Sequence, residues 1–587
     1  MSSEVERMSM EVDIVCVGFG PAAGGFLTTL NSFLTSTPEP SKLQVLCYER
    51  ADDIGFGVSG VVTKARSIRQ SFPDATVADI PMAAAVGEEK LVYLLDPHGA
   101  SRRSVSVKAL DEVVKLVASD SLKGVELPYV PDFLHKENGW ILSIGQFNQW
   151  VGQQVMMGGA VQIWPASPVL GPLIEDGRVV GVRLADVDVR ARLTVVADGP
   201  VGPVGRALDE HFGMPEGHVR DEWAVGMKAV VELPEGVDLE PGTVFHTIGY
   251  PEPEIFGFFY VHPDRLASVG IFVPSWFDNP VRSTYRYLQH FMQHPYLWRY
   301  LKGGVLRSWG AKSILESGKR GEPFLSGDGW ARIGESSGST NVLTGSGVDE
   351  AWETGTQLAQ AVMELLLDGA AFSAENLERT YIRRRRVSWL ESEAQVAQHS
   401  RAGFQSGFVS GLLGMAMAGF SDGKVNWPLH PHEKAVSERV RGAEEYFHGV
   451  IPPGEIAQIR EECRAAGRSM HDALMERAGW PTIPFDGQLL MSQQDALLLG
   501  GKVTAGAGLV DHVVFVEPKV CEVCRAQVCI EICSGEAIHA SSSGGGTPEF
   551  DREKCVHCGA CLWNCTAPGG GNVAFRAGSG GLHSAEN

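Results

Sequence analysis

The first strong pattern in the chain is a short apolar run rich in β-branched residues, Val12 to Val17, which predicts a buried strand. The glycine-rich segment 18–23 (GFGPAA) follows, and a helical pattern continues to about residue 34. A second apolar run, Leu43 to Tyr48, ends at Glu49. Strand, glycine turn, helix, strand and acid in this order are typical of a dinucleotide-binding βαβ unit. The alternative interpretation is a tight turn in an α/β fold that binds no nucleotide.

The predicted cofactor contacts in this unit are Gly18, Gly20, Ala23 and Glu49. Glycines in the turn let backbone N–H groups approach a pyrophosphate at the N-terminus of the helix. Glu49 follows the second strand, where an acidic side chain can accept hydrogen bonds from the hydroxyls of the adenosine ribose.

Two later segments favour FAD over NAD as the nucleotide. The first is an apolar strand, residues 193–197, that ends in Asp-Gly. The second is a strand that ends in Gly-Glu, followed by further glycines and a helix predicted from about Val348; it resembles the FAD signature in which an acidic residue holds the ribityl chain. Taken alone, the Asp-Gly pair is also compatible with a simple β-turn. The predicted cofactor contacts in these segments are Asp198, Gly199, Gly334, Glu335 and Gly347.

Two further regions have recognisable patterns. Residues 215–305 form a second α/β pattern rich in aromatics, as expected for a substrate domain over a flavin, although core packing explains most of them equally well. Residues 391–515 are predicted to be mainly helical. Within them, 403–420 carries no charge and is too short to span a bilayer, so we expect a membrane-surface segment, with a buried helix as the alternative. The preceding run 383–386, four arginines, would pair with anionic lipid headgroups or form a solvated helix face.

Composition narrows the class of protein. Apolar residues make up 44% and charged residues 21% of the 587 residues, which is an ordinary globular balance. Acids outnumber bases by 71 to 50, and the net charge of −21 argues against a nucleic-acid binder. The N-terminal segment has no pattern of a secretory or transit peptide, so a reducing cytoplasm is the expected compartment.

The most specific signal is a cysteine-rich tail. Eight of the eleven cysteines form two groups of four near the C-terminus. The second group has the spacing C-x2-C-x2-C-x3-C of a bacterial ferredoxin, and the first has C-x2-C-x4-C-x3-C. A pair of zinc sites is the alternative, but zinc ribbons usually use paired C-x2-C groups. The predicted ligands are Cys521, Cys524, Cys529, Cys533, Cys555, Cys558, Cys561 and Cys565.

Two-cluster ferredoxins cross their ligands, since the fourth cysteine of each group joins the other cluster. The crossing predicts one [4Fe–4S] cluster on Cys555, Cys558, Cys561 and Cys533, and another on Cys521, Cys524, Cys529 and Cys565. A flavin takes two electrons and releases them singly, so a chain with both cofactors is an electron relay. No nucleophile–base or paired-carboxylate arrangement stands out, and we assign no catalytic residue.

Together these features resemble the electron transfer flavoprotein–quinone oxidoreductases and their FixC-like relatives. The resemblance covers nearly the whole chain and includes GFGPAA, IGFGVSG at 54–60, HTIGYPEPEIFGFFYVH at 246–262 and DALLLGG at 495–501. The tail resembles the small FixX-type ferredoxin, so the chain resembles a FixC-type flavoprotein fused to a FixX-type ferredoxin.

This resemblance implies electron entry from a reduced electron transfer flavoprotein, passage through [4Fe–4S] clusters (two expected, at least one) and FAD, and delivery to a membrane quinone. It also implies cofactor contacts at Ser59 and Gly60, and a quinone site at Gly257 and Phe258. The implied location is peripheral, on the cytoplasmic face of the bacterial inner membrane.

The expected fold is α/β (α+β): a FAD-binding Rossmann-like domain with an inserted α/β quinone domain, a helical region and a C-terminal ferredoxin-like domain. The expected boundaries are 11–85, 140–215 and 305–390 for the FAD domain, 86–139 and 216–304 for the quinone domain, 391–515 for the helical region and 516–587 for the ferredoxin-like domain. Two other functions remain open: a geranylgeranyl-reductase-like flavoprotein, and an electron-carrier subunit of a bifurcating Fix-type complex.

Overall fold

A computed structural model describes residues 7–36, 43–55, 60–428, 436–499, 501–502, 511–524, 526–542, 546–567, 570–576 and 582–583. The predicted βαβ unit forms the centre of a first sheet, in which Met8–Val17 pairs in parallel with Val45–Tyr48 and Val187–Val196. Parallel pairing continues outward to Val161–Trp164 and Trp330–Arg332. The strands of this sheet are Met8–Val17, Val45–Tyr48, Val161–Trp164, Gly171–Glu175, Arg178–Arg183, Val187–Val196, Ser326–Gly327 and Trp330–Arg332. Because the carboxyl ends of parallel strands share one edge, the predicted nucleotide-binding loops converge there.

Glycines allow close packing of the two helices behind this edge, Pro21–Ser36 and Val348–Leu367. A Cβ on Gly25 would lie 2.3 Å from the carbonyl oxygen of Trp352, and one on Gly355 would lie 2.0 Å from that of Ala22. The helix backbones therefore approach to a distance that any larger residue would prevent.

A second sheet forms the predicted quinone domain and is mainly antiparallel. Its strands are Glu89–Leu94, Gly124–Glu126, Trp223–Glu232, Val244–Ile248, Phe256–Val261, Leu266–Pro274 and Val305–Leu315. The last of these pairs with Trp223–Glu232, so the expected domain boundary at residue 305 is wrong and this domain extends to Leu315. A small antiparallel sheet is formed by Val61–Thr63, Ala84–Ala85 and Trp140–Leu142.

Residues 391–515, which precede the tail, are mainly helical where they are described, as predicted. The α-helices of the described residues are Pro21–Ser36, Arg66–Ser71, Val105–Lys115, Ile144–Gly158, Pro203–Phe212, Thr284–Met292, Pro295–Leu301, Val348–Leu367, Ala374–Leu377, Arg383–Arg386, Trp389–Ala397, Phe408–Phe420, Val436–Arg439, Ala443–Tyr446, Pro453–Ala465, His471–Arg477, Gln493–Ala496, Pro518–Glu522, Val528–Glu531 and Ala560–Trp563.

The tail is built from short helices and short antiparallel strand pairs, and it packs against the second sheet. The strand pairs are Gly501–Lys502 with Leu582–His583, Val513–Phe515 with Val573–Phe575, and Ile538–His539 with Glu549–Phe550. The ring of Trp563 stacks on Trp223 with centroids 6.2 Å apart, and its indole N–H donates to Ser313 Oγ at 2.8 Å.

The run of four arginines at 383–386 is part of the protein's own ion-pair network. Arg384 pairs with Glu364 at 3.3 Å, and Arg386 pairs with Glu322 at 2.7 Å. Arg385 is buried and donates to Ser337. Three of the four guanidinium groups therefore have partners inside the protein, which favours a structural role for this run over pairing with lipid headgroups.

The uncharged segment 403–420 forms a short 3-10 turn and the helix Phe408–Phe420, which is half buried. Its glycines admit aromatic rings: a Cβ on Gly411 would lie 2.0 Å from the Phe404 ring, and one on Gly419 would lie 2.2 Å from the Phe133 ring. Within the ranges described above, no helix is both long and apolar enough to cross a bilayer.

Candidate functional site

An elongated cavity runs along the carboxyl edge of the first sheet and under the second sheet. It has a larger chamber of about 390 Å³ and a smaller one of about 210 Å³. Residues that line both chambers join them: Phe19, Gly20, Ala197, Gly199, Lys312 and His557. A long ligand with one bulky group in each chamber would fit this shape.

The glycine turn lies at the junction of the two chambers. Gly18 has φ +87°, and a Cβ there would lie 2.8 Å from the carbonyl oxygen of Ala197. By contrast, nothing lies within 4 Å of a Cβ position on Gly20, which faces open cavity. The helix Pro21–Ser36 begins directly after this turn, so its unpaired N–H groups meet the cavity and suit an anion.

Glu49 is held at the end of its strand by backbone groups. Its carboxylate accepts hydrogen bonds from the N–H of Phe19 at 2.8 Å and of Ala51 at 2.9 Å. The side chain lines the smaller chamber, where each carboxylate oxygen keeps capacity to accept a further hydrogen bond.

Asp198 and Glu335 line the cavity but already have protein partners. Asp198 Oδ2 accepts from the N–H groups of Val204 and Gly205, so it caps the helix Pro203–Phe212. Glu335 accepts from the N–H of Leu315 and from the N–H and hydroxyl of Thr340. Burial raises the pKa of Glu335 to about 7. Both acids therefore hold the loops of the site in place, a role that the sequence did not predict.

The other predicted contacts divide into three groups. Gly60, Gly199, Gly334 and Gly347 all line the larger chamber. Ala23 does not line either chamber; it is fully buried in the core beneath the turn, where it serves packing. Ser59 lies outside the described residues.

The two predicted quinone contacts point to opposite faces of their strand. Phe258 lines the larger chamber and stacks on Tyr260 with ring centroids 4.4 Å apart. A Cβ on Gly257 would instead meet the ring of Phe291 at 2.5 Å, on the helix-covered face of the sheet. Because side chains alternate along a strand, only Phe258 of this pair can present a side chain to the cavity.

Two partly buried lysines that sequence reasoning missed, Lys228 and Lys312, also line the larger chamber. Burial lowers the pKa of Lys228 and of Lys312 to about 8 in each case. Lys228 Nζ donates to the carbonyl oxygen of Gly60 at 2.9 Å. Partly buried ammonium groups near a helix N-terminus favour an anionic ligand. The alternation of side chains along the strands gave no reason to single these two lysines out.

The eight tail thiols separate into two sets by their electrostatic neighbours. Burial raises the pKa of Cys561 well above its usual range, and the nearest charges that add to it are those of Cys558, Cys533 and Cys555. Burial acts likewise on Cys529, with Cys565, Cys524 and Cys521 as its nearest charged neighbours. These sets have the same members as the crossed ligand sets expected from the sequence.

Donors surround several of these sulfurs. The N–H of Ala537 points at Cys533 Sγ at 3.1 Å, and that of His557 points at Cys555 Sγ at 3.3 Å. In the other set, Asn572 donates to Cys565 from its backbone and to Cys521 from its side chain. Such hydrogen bonds suit thiolate ligands of a cluster.

Among the described residues, no three His, Cys, Asp or Glu side chains are placed to hold a single metal ion. A four-iron cubane uses its four thiolates on four separate irons, so its ligands are spread more widely than those of one ion. Each of the two thiol sets has four cysteines, which is the number of ligands that one four-iron cubane takes.

The tail reaches directly into the cavity. Val556 and His557, between Cys555 and Cys558 in sequence, both line the larger chamber, and the N–H of Ser313 donates to the carbonyl oxygen of Cys558 at 2.9 Å. The His557 ring is 7% exposed, and neither ring nitrogen has a hydrogen-bond partner within the described chain. Because a buried imidazole without partners is costly, His557 is suited to a ligand in the cavity. Its position between two cysteines was the only sequence signal for this role.

The family model and the curated relatives that this chain matches carry the same protein name. Residues 223–314 match a family model described as ETF-QO, ubiquinone-binding. The electron transfer flavoprotein-ubiquinone oxidoreductase of Pseudomonas aeruginosa is 26% identical over 411 residues, which cover 66% of this chain and 70% of that protein. The mitochondrial protein of the same name from Oryza sativa is 26% identical over 431 residues, covering 69% of this chain and 68% of the relative.

Among solved structures, a geranylgeranyl bacteriochlorophyll reductase-like protein from Thermoplasma acidophilum has a TM-score of 0.49 and 16% identity, over 76% of this chain and all of that one. The matched region, residues 223–314, covers five of the seven strands of the second sheet and the helices Thr284–Met292 and Pro295–Leu301. The family model and the curated relatives agree with the resemblance of the chain to the electron transfer flavoprotein–ubiquinone oxidoreductases, whereas the resemblance of the tail to a FixX-type ferredoxin stays a prediction.

Proposed function

We propose that this protein is an oxidoreductase that takes electrons from a reduced electron transfer flavoprotein, passes them through [4Fe–4S] clusters to FAD, and delivers them to a membrane quinone. The observation that carries the proposal is the position of Val556 and His557. They stand between two thiols of one set and line the cavity that fits the flavin nucleotide. One electron carrier would then lie directly beside the other.

FAD, when bound, accepts and releases electrons one or two at a time. In the proposed arrangement the turn at Gly18 and Gly20 and the N-terminus of Pro21–Ser36 would hold the pyrophosphate. Glu49 would hold the ribose in the smaller chamber. Lys312 and His557, which line both chambers, would supply further donors to the anionic cofactor.

The crossed sets supply a place for two clusters rather than one. Cys533 and its partners would hold the cluster beside the cavity, and Cys529 and its partners the other. The charge of Cys529 acts on Cys561, and that of Cys533 acts on Cys529, so the two sets are neighbours. This proximity supports transfer of single electrons between the clusters.

The quinone is proposed to bind where the larger chamber is walled by Phe258, Tyr260 and Phe272. Flat aromatic rings suit the flat quinone ring, since offset stacking adds to apolar burial. These three residues lie within the matched ubiquinone-binding region. Gly257 is not part of this wall.

A peripheral membrane contact through 403–420 is also proposed, which would bring a quinone dissolved in the bilayer to the cavity. The helix Phe408–Phe420 exposes Leu413 by 53% and Phe420 by 62% of their surface. The helix Val105–Lys115, which packs beside it, exposes Val105 and Val113. Leu412 is partly buried against the protein, so Leu413 and Phe420 are the side chains available to lipid.

Replacing Leu413 and Phe420 with aspartate should release the chain from liposomes, because charged groups in the interfacial apolar layer are costly. Flotation with vesicles of bacterial lipid composition measures this. The matched control replaces Leu367 and Val387 with aspartate; both are more exposed but lie elsewhere. Equal flotation of the two double variants would contradict the membrane contact.

The proposed function is tested by mixing the quinone-free chain anaerobically with reduced electron transfer flavoprotein. The absorbance of the chain's FAD and of its clusters should fall together as the donor is oxidised. A chain whose flavin stays oxidised while the donor remains reduced would rule out this donor.

A further inference from the structure

A second, polar cavity of about 350 Å³ lies next to the flavin cavity, on the far side of the loop 341–347. Ser346 lines both cavities and is the bridge between them. The charged residues that line the polar cavity are Lys64, Arg66, Asp132, Lys136, Asp349, Glu350, Glu393 and Asp422. Nothing in the proposed electron route uses this cavity.

Glu350 connects the polar cavity to Ser346. It lies in the first turn of the helix Val348–Leu367, is 3% exposed, and accepts a hydrogen bond from Ser346 Oγ at 2.8 Å. A carboxyl group and a hydroxyl thus stand in line between water-accessible polar space and the flavin cavity. Such a pair can exchange protons through their hydrogen bond.

The surroundings of Glu350 bring the pKa of its carboxyl group close to neutral pH. Burial, reinforced by the neighbouring charge of Asp349, raises the pKa of Glu350 to about 7, while Lys136 acts in the opposite direction. Lys136 is itself buried, donates to the carbonyl oxygen of Thr344 at 2.9 Å, and has its pKa lowered to about 8 by burial.

Three of the remaining charged groups that face the cavity, Arg66, Asp349 and Glu393, form an ion-pair cluster. Arg66 bonds Asp349 and Glu393, and its backbone N–H also donates to Asp349. Glu350 is left with the neutral Ser346 hydroxyl as its closest partner among the contacts described, so its carboxyl can take up and release a proton without breaking an ion pair.

We propose that Glu350 and Ser346 form a proton inlet that carries protons from the polar cavity to the quinone reduced in the flavin cavity. The inference rests on the proposed function. Reduction of one quinone to a quinol takes two electrons, which the flavin supplies, and two protons. For each proton, the Glu350 carboxyl O–H bond breaks as Ser346 Oγ gains that proton, and the Ser346 hydroxyl proton passes to a quinone oxygen. Water in the polar cavity then reprotonates Glu350.

The test compares the wild-type holoprotein with Glu350→Gln, which keeps the shape and the bond to Ser346 but has no acid proton. Glu364→Gln is the control, since Glu364 lies on the outer end of the same helix, with a half-exposed side chain. Wild-type quinol formation should fall above about pH 7, because the protonated fraction of Glu350 decreases there. Glu350→Gln should lower quinol formation by about a hundredfold or more and remove this inflection. The Glu364 variant should match the wild type.

A second readout does not depend on turnover. The infrared difference between the wild type and Glu350→Gln should contain a protonated-carboxyl band that disappears near pH 7. The bands of Glu335 and Glu254, whose pKa values burial also raises to about 7, cancel in this difference because both proteins have them. FAD content and donor-driven flavin reduction should stay unchanged. A Glu350→Gln protein with wild-type rate and wild-type pH profile would overturn the inlet. A wild type that reduces its flavin but forms no quinol would instead overturn the proposed function.

Discussion

Replacing Cys561 with alanine should remove the cluster beside the flavin and stop donor-driven flavin reduction. Cys561 belongs to the thiol set that adjoins the cavity, since two other members of this set, Cys555 and Cys558, flank the lining residues Val556 and His557. Iron should fall from roughly eight to roughly four atoms per chain, since one cubane of two is lost. Iron and acid-labile sulfide assays measure the loss, and stopped-flow absorbance follows the flavin.

Replacing Cys565 is the matched experiment, because this thiol belongs to the other set. That variant should also hold roughly four irons but keep the cluster beside the cavity. The magnetic coupling between two reduced clusters should then disappear from its electron paramagnetic resonance spectrum. Cys463→Ala, a buried cysteine of the helix Pro453–Ala465, should keep all of the iron. If the wild type itself holds only about four irons and the Cys565 variant loses none, the chain has one cluster.

Replacing Gly18 with leucine should yield a chain without FAD. The side chain would enter at φ +87°, a conformation that costs about 1–2 kcal/mol for a residue with a Cβ, and its Cβ would lie 2.8 Å from the Ala197 carbonyl oxygen. The turn must then move away from the helix N-terminus that would hold the pyrophosphate. The ratio of FAD to protein after gel filtration measures the effect.

Gly454→Leu is the control for this substitution. Gly454 begins the helix Pro453–Ala465, and nothing lies within 4 Å of its Cβ position, so FAD should be retained. Iron content serves as the check on folding, because the cysteine ligands lie in the tail and not in the glycine turn. A Gly18→Leu protein that keeps both iron and a full complement of FAD would show that the nucleotide is held elsewhere.

The parts of the fold that sequence reasoning predicted are those in which a local pattern determines the geometry. The βαβ unit at Met8–Tyr48 is one case, since apolar runs and a glycine turn fix both the strands and the helix between them. The helix beginning at Val348 was also predicted correctly.

What the sequence could not predict depends on contacts between distant residues. The partners of Glu335 at Leu315 and Thr340 arise only when two sheets come together, and the pairing of Val305–Leu315 with Trp223–Glu232 was hidden by the intervening helices. Likewise, the arginine run pairs with acids on other helices. Strand register determines on which face of the sheet Gly257 lies. A glycine within a run of aromatic residues gives no sign of that register.

The most direct test of the account is quinol formation by the purified holoprotein with reduced electron transfer flavoprotein as donor and a short-chain ubiquinone analogue as acceptor, under anaerobic conditions. We expect one quinol for each pair of electrons lost by the donor, and none when either the chain or the donor is omitted. A chain that is reduced by the donor but forms no quinol would contradict the account and would favour an electron-carrier subunit of a larger complex.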